Sequence, residues 1–196
     1  MGDQAAGDGG ALREVRDPGS LKALGHPLRQ RILRHLHRDG PATATALAAA
    51  LGENTGATSY HLRRLAEHGF VEDAPGRAKG RERWWRARRQ DIRFLPRSAL
   101  TEDARVALDH LTELNAAEDE SALQRFQQRR EELGPWGDAL LFSRGALRLT
   151  GEELLAFWEE YLALLQRYRP DDPEADPADP DARRILVRFL AFPDVD

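Results

Sequence analysis

Residues 54–70 read NTGATSYHLRRLAEHGF, and this stretch decides the fold of the first half of the chain. Asn54 is a strong N-cap, so a helix is predicted to begin directly after it. Thr58, Leu62 and Leu65 recur at i, i+4 and i+7, which predicts one face packed on a core. The opposite face is small, polar and able to form hydrogen bonds, and it carries Thr55, Gly56, Ser59, Tyr60 and Arg63. A helix with such a face fits the major groove of DNA, which is about 12 Å wide.

The segment before this helix is also helical in pattern. Apolar residues recur at three- and four-residue spacing over 21–36, and a Gly-His-Pro break at 25–27 divides them into two short helices. The second of these is predicted to stop at the Asp-Gly-Pro of 39–41. A third helix is expected to begin near Thr43 or Thr45, because either hydroxyl could cap it.

The segment after the helix predicts a β-hairpin. Two short extended runs flank a loop at 74–81 that contains a Pro-Gly and a Lys-Gly pair. From Arg77 to Arg93 eight basic residues stand against only Glu82 and Asp91, so the hairpin is strongly basic. Helices followed by a basic hairpin are the element order of a winged helix-turn-helix, whose hairpin can contact phosphates beside the groove.

The distribution of charge supports this division of the chain. The 196 residues carry a net charge of −4, but residues 1–20 sum to −2, residues 21–93 to +8 and residues 94–196 to −10. A basic segment joined to an acidic one indicates that the first meets a polyanion and the second has another task. The glycine-, alanine- and aspartate-rich residues 1–19 are predicted to form a flexible arm.

Composition and motifs exclude several classes of protein. The absence of cysteine rules out disulfides, thiolate metal sites and cysteine nucleophiles. No apolar run is long enough for a membrane span and no secretory leader is recognisable, so a cytoplasmic protein is expected. No P-loop, GxSxG, HExxH or dinucleotide motif is present, so neither an enzyme nor a cofactor is expected. The six histidines have no metal-ligand spacing beyond His35-x-His37, whose side chains point to different faces, and no metal site is expected.

Four short motifs together are characteristic of a known family. They are LGHPLRQRIL at 24–33, TSYHLRRL at 58–65, GFV at 69–71 and GRERWW at 80–85. On these motifs, residues 20–90 resemble the DNA-binding domain of the ArsR-type winged helix-turn-helix transcriptional regulators. Because the chain lacks cysteines, it resembles the branch that does not sense metals.

The resemblance implies specific contacts with double-stranded DNA. A recognition helix at about 54–68 would enter the major groove, and a wing at 76–83 would lie on the phosphate backbone. The implied groove contacts are Thr55, Gly56, Ser59 and Tyr60. The implied phosphate contacts are Arg63, Arg64, Arg77, Lys79, Arg81 and Arg83.

Three other groups of residues near this surface have alternative interpretations. His61 could touch a phosphate or fill the junction between helix and hairpin, so it is kept among the candidate DNA-binding residues. The arginines just after the wing could form a solvated face instead of a contact surface; they are Arg86, Arg88 and Arg89. Of the adjacent Trp84 and Trp85, one is expected in the core, because neighbouring residues of a strand point to opposite sides.

The acidic half is predicted to form a long helix and a smaller unit. An apolar stripe through residues 96–134 predicts a helical linker and dimerisation region, which implies a homodimer; packing of this helix within its own chain is the alternative. Residues 135–196 read as strand, helix and strand, with a Thr150-Gly-Glu-Glu capping box, and predict a small α+β unit. The aromatic residues of this unit are expected to build its core and could instead line a pocket; they are Trp136, Phe142, Phe157, Trp158 and Tyr161.

The expected fold is mainly α with a β-hairpin wing, with a winged helix-turn-helix domain at 20–95. The leading functional hypothesis is a sequence-specific, dimeric DNA-binding regulator, acting as a repressor as similar proteins usually do. An unknown small-molecule or protein effector could bind the C-terminal half. The alternative is a winged helix that docks proteins without reading DNA, but the basic hairpin favours nucleic acid.

Overall fold

A computed structural model of the chain describes residues 11–74, 82–88, 90–168 and 181–195. The secondary structure of these residues is mostly helical, with short strands in the N-terminal half. In chain order the elements are β1 Ala11–Val15, α1 Pro18–Leu24, α2 Pro27–Asp39, β2 Ala42–Thr43, α3 Ala44–Leu51, α4 Thr55–Glu67, β3 Val71–Asp73, β4 Trp84–Ala87, β5 Gln90–Phe94, α5 Glu102–Arg129 and α6 Gly151–Gln166. Short 3₁₀ segments occupy Arg97–Ala99 and Arg130–Asp138.

The boundaries of the first four helices follow from local capping. Pro27 occupies the first turn of α2, where its missing N–H has no intrahelical partner, and the helix ends before Gly40. The Thr43 hydroxyl accepts a hydrogen bond from the backbone of α3, which closes on Gly52 in the left-handed conformation at φ +67°. These boundaries confirm the helices predicted from the sequence, including the alternative that began at Thr43.

The core of the N-terminal half is formed where these helices meet. Its largest fully buried side chains include Leu21, Ile32, Leu47, Leu62, Leu65 and Phe70, and β1, β3 and α5 contribute further buried residues. Burying an aliphatic or aromatic side chain of this size contributes roughly 1.5–3 kcal/mol relative to leaving it exposed. The position of α4 is therefore set by its apolar face.

The predicted hairpin is present as part of a three-stranded antiparallel sheet. Strand β4 pairs with β3 and also with β2, so the sheet order is β2-β4-β3. Trp85 is buried and Trp84 only half-buried, which confirms that one of the pair belongs to the core. The short strand β2 was not predicted, because two residues before a helix give no strand pattern. Residues 75–81, which hold most of the predicted wing, lie outside the described residues.

The prediction of a flexible arm at 1–19 is wrong for residues 11–19, while residues 1–10 lie outside the description. Residues 11–15 form β1, which pairs in parallel with β5, and α1 begins at Pro18. Arg13 fastens β1 to the end of α4, because its guanidinium donates to the Gly69 carbonyl at 3.1 Å and lies 4.5 Å from the centre of the Phe70 ring. A pairing over more than seventy residues leaves no local signal in the sequence.

The long helix predicted in the acidic half is present as α5. Its first turns belong to the core of the N-terminal half, where Ala104, Ala107 and Leu111 are buried. An ion pair of 3.3 Å between Arg34 and Glu118 holds the next turns against α2. None of the helices in the described ranges is long and apolar enough to cross a membrane.

The chain divides into two compact units, within Met1–Glu120 and Ser121–Asp196, so the division falls inside α5. In the second unit Thr150 and Glu153 form the predicted capping box at the start of α6, with hydrogen bonds of 2.7 and 3.2 Å. The predicted α+β architecture is wrong, however, because residues 139–149 and 184–192 form no strand. Both segments have the composition of strands, yet neither is paired into a sheet.

The predicted aromatic core of this unit is formed only in part. Trp158 and Tyr161 of α6 stack on Phe189, with ring centres 5.6 and 4.6 Å apart. Phe142 is 84% exposed and Phe157 is 38% exposed. No side chain of α6 is fully buried.

Candidate nucleic-acid interface

Helix α4 has one anchored face, as its sequence predicts. Asn54 caps the helix by accepting a hydrogen bond from the Ala57 N–H at 2.7 Å. Thr58, Leu62 and Leu65 are all fully buried, and the Thr58 hydroxyl is satisfied by donating to the Asn54 carbonyl at 3.0 Å. Thr58 is thus a core residue, and the burial of this face fixes which residues of α4 remain outside.

The predicted groove contacts all lie on the uncovered side of α4. Thr55 and Gly56 are exposed in its first turn, Ser59 is half-buried, and Tyr60 is 53% exposed. The first turn of a helix also presents unpaired backbone N–H groups, which favour phosphate oxygens. This part of the surface therefore offers hydrogen-bonding groups with little bulk.

A groove runs from α4 to the base of the hairpin. It is lined by residues from the start of α3, from α4, from β4 and from the two residues before β4; they include Thr45, Thr55, Ser59, Arg63, Glu82, Arg83 and Trp85. Thr45 was missed as a site residue, because in the sequence it could only be recognised as a helix cap. Its position at the same groove as Ser59 depends on the packing of α3 against α4, which a local pattern does not contain.

The predicted phosphate-contacting arginines differ in their partners. Arg63 is exposed, and among the described residues it has no carboxylate partner; its Nε donates to the Ser59 carbonyl at 3.3 Å. Arg64 forms an ion pair with Glu67 one turn later. Arg83 forms a bidentate pair with Asp73 and lies over the Trp85 ring at 3.9 Å. Arg77, Lys79 and Arg81 lie outside the described residues.

The ion pairs of the hairpin lower the pKa of Glu72 and of Asp73. The hydrogen bond from Arg83 lowers the pKa of Asp73. Partial burial alone would raise the pKa of Glu72, but hydrogen bonds from Arg88 and Arg86 outweigh it and lower that pKa. Arg86 and Arg88 are therefore held by Glu72 on an exposed face, in agreement with the alternative that they are solvated.

His61 lies at a junction between two helices rather than between helix and hairpin, and its contact with a phosphate stays a prediction. Its ring lies 4.4 Å from the ring of His26, and its Nδ1 lies 3.3 Å from Nη1 of Arg29, so it fills the junction between α4 and the start of α2. The His26 Nδ1 in turn accepts the Leu28 N–H at 3.2 Å as the N-cap of α2. Both imidazoles thus serve as neutral acceptors at the point where α4 meets α2. The junction is nonlocal, so no sequence signal revealed it.

This cluster lowers the pKa of both histidines. Desolvation by burial is the main cause at each site, and Arg29 adds repulsion at both. At His61 the neighbouring His26 contributes further repulsion, while Glu53 acts weakly in the opposite direction. The folded protein therefore favours neutral imidazoles.

The free energy of unfolding is expected to fall as the pH drops below about 6.5, the ordinary pKa of histidine. In the unfolded chain His26 and His61 regain that pKa, so unfolding takes up protons, and acid favours the unfolded state. Urea unfolding at a series of pH values measures the effect. The variant His61→Gln should lose less of its free energy of unfolding in acid than the wild type does. His110→Gln is the control, since His110 lies 4.0 Å from Glu113 outside the cluster. An equal loss in wild type and His61→Gln would contradict this explanation.

Comparison with known proteins supports the class of the domain. A family profile described as a helix-turn-helix domain matches residues 24–74, the segment from the end of α1 through α4 to the end of β3. Helix-turn-helix domains place their second helix in the major groove of DNA. Within the described residues, no group of three side chains could hold a metal ion.

Solved structures show only a distant similarity. ZitR of Lactococcus lactis is 17% identical, with 74% of this chain and 84% of that chain covered and a TM-score of 0.33. YusO of Bacillus subtilis is 15% identical, with 76% of this chain and 83% of that chain covered and a TM-score of 0.33. The transcriptional regulator Tm0710 of Thermotoga maritima is 15% identical, with 76% of this chain and 87% of that chain covered and a TM-score of 0.31. No curated protein matches the chain in sequence.

Proposed function

We propose that this protein is a transcription regulator that reads a specific sequence of double-stranded DNA through α4. The observation that carries the proposal is the division of α4 into a buried face and an uncovered face. The buried face holds the helix rigidly, whereas the uncovered face presents Thr55, Ser59 and Tyr60 beside a guanidinium at Arg63. Rigid support matters because a base contact has strict geometry.

The groove between α4 and the hairpin provides two kinds of contact in this proposal. Short hydroxyl side chains and the Tyr60 phenol donate hydrogen bonds to base edges and accept hydrogen bonds from them. Each good contact contributes about 1–3 kcal/mol of discrimination against the wrong base. Arg63 and the arginines and lysine of the wing bind phosphates, which supplies affinity without sequence information. Arg83 would exchange Asp73 for a phosphate, because both present paired oxygens to its guanidinium.

Two finer features belong to the same proposal. The regulator acts as a homodimer, since helix-turn-helix dimers read two half-sites about one helical turn apart. It represses transcription by occluding a promoter, which the ArsR-type motifs of residues 20–90 support. The absence of cysteine from the chain favours the branch of that group that does not sense metals.

A competition gel shift with DNA from the protein's own promoter tests this function. The expected result is a complex that survives an excess of bulk genomic DNA at moderate salt, since specific sites bind typically 10³–10⁷ times more tightly than nonspecific ones. Binding to the promoter no tighter than to bulk DNA would refute sequence-specific reading. Failure to bind any duplex would instead favour a winged helix that docks proteins.

Arg63→Ala is expected to weaken binding to all duplexes equally and to reduce the slope of log K against log salt by about one phosphate contact. Arg64→Ala is the matched control: because Arg64 would have to leave Glu67 to reach a phosphate, its loss should change affinity and slope less than the loss of Arg63. Titrations over a range of salt concentrations measure both quantities. Equal changes in slope for the two variants would show that the ion pair in the free protein does not decide phosphate contact.

A further inference from the structure

Glu82 brings a carboxylate into the groove between α4 and the hairpin. It lies two residues before β4, is exposed, and lines the groove together with Thr45, Ser59 and Arg63. Among the described residues of this lining, the other charged groups are the guanidinium groups of Arg63 and Arg83, so Glu82 is the one negative charge. A negative charge in a groove otherwise suited to a polyanion opposes binding unless it has a specific partner in the complex.

Four carboxylates of the surrounding elements are each paired with an arginine. Glu72 accepts hydrogen bonds from two arginines at 2.9 and 2.7 Å, and Asp73 forms a bidentate pair with Arg83. The other two pairs are Arg31 with Glu53 and Arg64 with Glu67. Glu82 differs from all four, because no hydrogen bond or ion pair engages its side chain within the described part of the chain. Its carboxylate is therefore available to a ligand.

The backbone that carries Glu82 is held at the edge of the groove. The Ala74 N–H donates to the Trp84 carbonyl at 2.9 Å, which fixes the start of β4. Next to Glu82, the Arg83 guanidinium lies 3.9 Å from the centre of the ring of the buried Trp85. The carboxylate of Glu82 thus extends from a fixed point, as a contact with the strict geometry of a base edge requires.

The chemistry of an ionised carboxylate limits what it can bind on DNA. It accepts hydrogen bonds and donates none, and because phosphate oxygens are also negative acceptors, Glu82 repels the backbone. In the major groove, the donors are the amino groups of cytosine and adenine. Adenine places its N7 acceptor beside that amino group, and guanine and thymine present acceptors, whereas cytosine presents only its donor. A carboxylate at this position therefore favours cytosine.

We propose that Glu82 is a specificity-determining residue that accepts a hydrogen bond from the N4 amino group of a cytosine in the bound half-site. The inference rests on the proposed function, because it requires α4 to lie in the major groove. Glu82 lines the same groove as Ser59 and Arg63 of α4, so all three face the same stretch of duplex. Since the carboxylate repels any duplex that lacks this cytosine, it increases discrimination by weakening the wrong complexes.

Selection of duplexes from a random library, run in parallel on the wild type and Glu82→Gln, tests the proposal. The wild-type half-site should contain a position where cytosine is preferred. Glu82→Gln should change that preference to adenine, because a glutamine amide accepts from the adenine N6 amino group and donates to N7. Anisotropy titrations with duplexes that differ only at this position should show a wild-type preference for cytosine of roughly 5- to 150-fold, which the variant should lose.

Glu72→Gln is the matched control, since it removes the same charge from the hairpin. Glu72 is held by arginines and is not among the described residues that line the groove, so this variant should keep the wild-type preference at every position. Glu82→Ala should lose the preference for cytosine without gaining one for adenine. Both Glu82 variants should unfold at the same urea concentration as the wild type, because Glu82 is exposed.

The outcomes separate this inference from the proposed function. If Glu82→Gln selects the same half-site as the wild type, Glu82 does not read a base, and the proposed function stands without it. Tighter binding to every duplex with an unchanged half-site would also overturn the inference, because it would limit Glu82 to repulsion of phosphates. The same change of preference in Glu72→Gln would overturn it as well. A wild type that enriches no sequence would refute the proposed function and the role of Glu82 with it.

Discussion

Ser59→Glu is expected to weaken binding to a specific duplex at least about 100-fold while the fold stays intact. The substitution removes a hydroxyl from the middle of the α4 groove and places a carboxylate there. The lost base contact accounts for about 1–3 kcal/mol, and repulsion from the phosphates that line the DNA groove adds to it. Fluorescence anisotropy with a labelled duplex measures the change.

Two variants control for the charge and for the loss of the hydroxyl. Val106→Glu adds the same charge on α5, far along the chain from the groove, and should bind almost as the wild type does. Ser59→Ala removes only the hydroxyl, so it should fall between the wild type and Ser59→Glu and relax the preference at one base pair. If Ser59→Glu bound as tightly as Val106→Glu, α4 would not face DNA as proposed.

Leu62→Ala is expected to lower the free energy of unfolding by about 2–5 kcal/mol. Leu62 is fully buried between α4 and the rest of the helical core, so truncating it removes apolar contact and leaves a cavity. A loss of this size is a large fraction of the stability of a typical domain. Urea denaturation followed by circular dichroism gives the value directly.

Arg63→Ala serves as the control on the same helix, because Arg63 is exposed and surface substitutions usually change stability by no more than about 0.5 kcal/mol. The two variants should therefore separate the roles of the two faces of α4. Leu62→Ala should lose stability, and Arg63→Ala should lose DNA affinity. Comparable stability in both variants would mean that the face containing Leu62 does not anchor the helix.

The elements that the sequence predicted well are those decided by neighbouring residues. The Asn54 cap, the Pro27 start of α2 and the Gly52 end of α3 each depend on contacts within a few residues. The burial of Thr58 followed from its spacing to two leucines. Such local signals are sufficient to predict the helix-turn-helix and the uncovered face of α4.

The features that escaped prediction depend on distant pairings. The pairing of β1 with β5 joins residues 11 and 90, and the junction of His26 with His61 joins two helices. The ion pair between Arg83 and Asp73 forms only when the hairpin folds. In the second unit, the composition of 139–149 and 184–192 predicted two strands, and this was wrong because, among the described residues, neither segment has a partner in a sheet.

Selection of bound duplexes from a random DNA library tests the central claim most directly. The account predicts enrichment of two inverted half-sites whose centres lie about 34–36 Å apart, matching two copies of α4 related by two-fold symmetry. The Ser59→Glu variant, selected in parallel, should enrich no such pair. Failure of the wild type to enrich any sequence over the starting library would contradict the claim that α4 reads DNA.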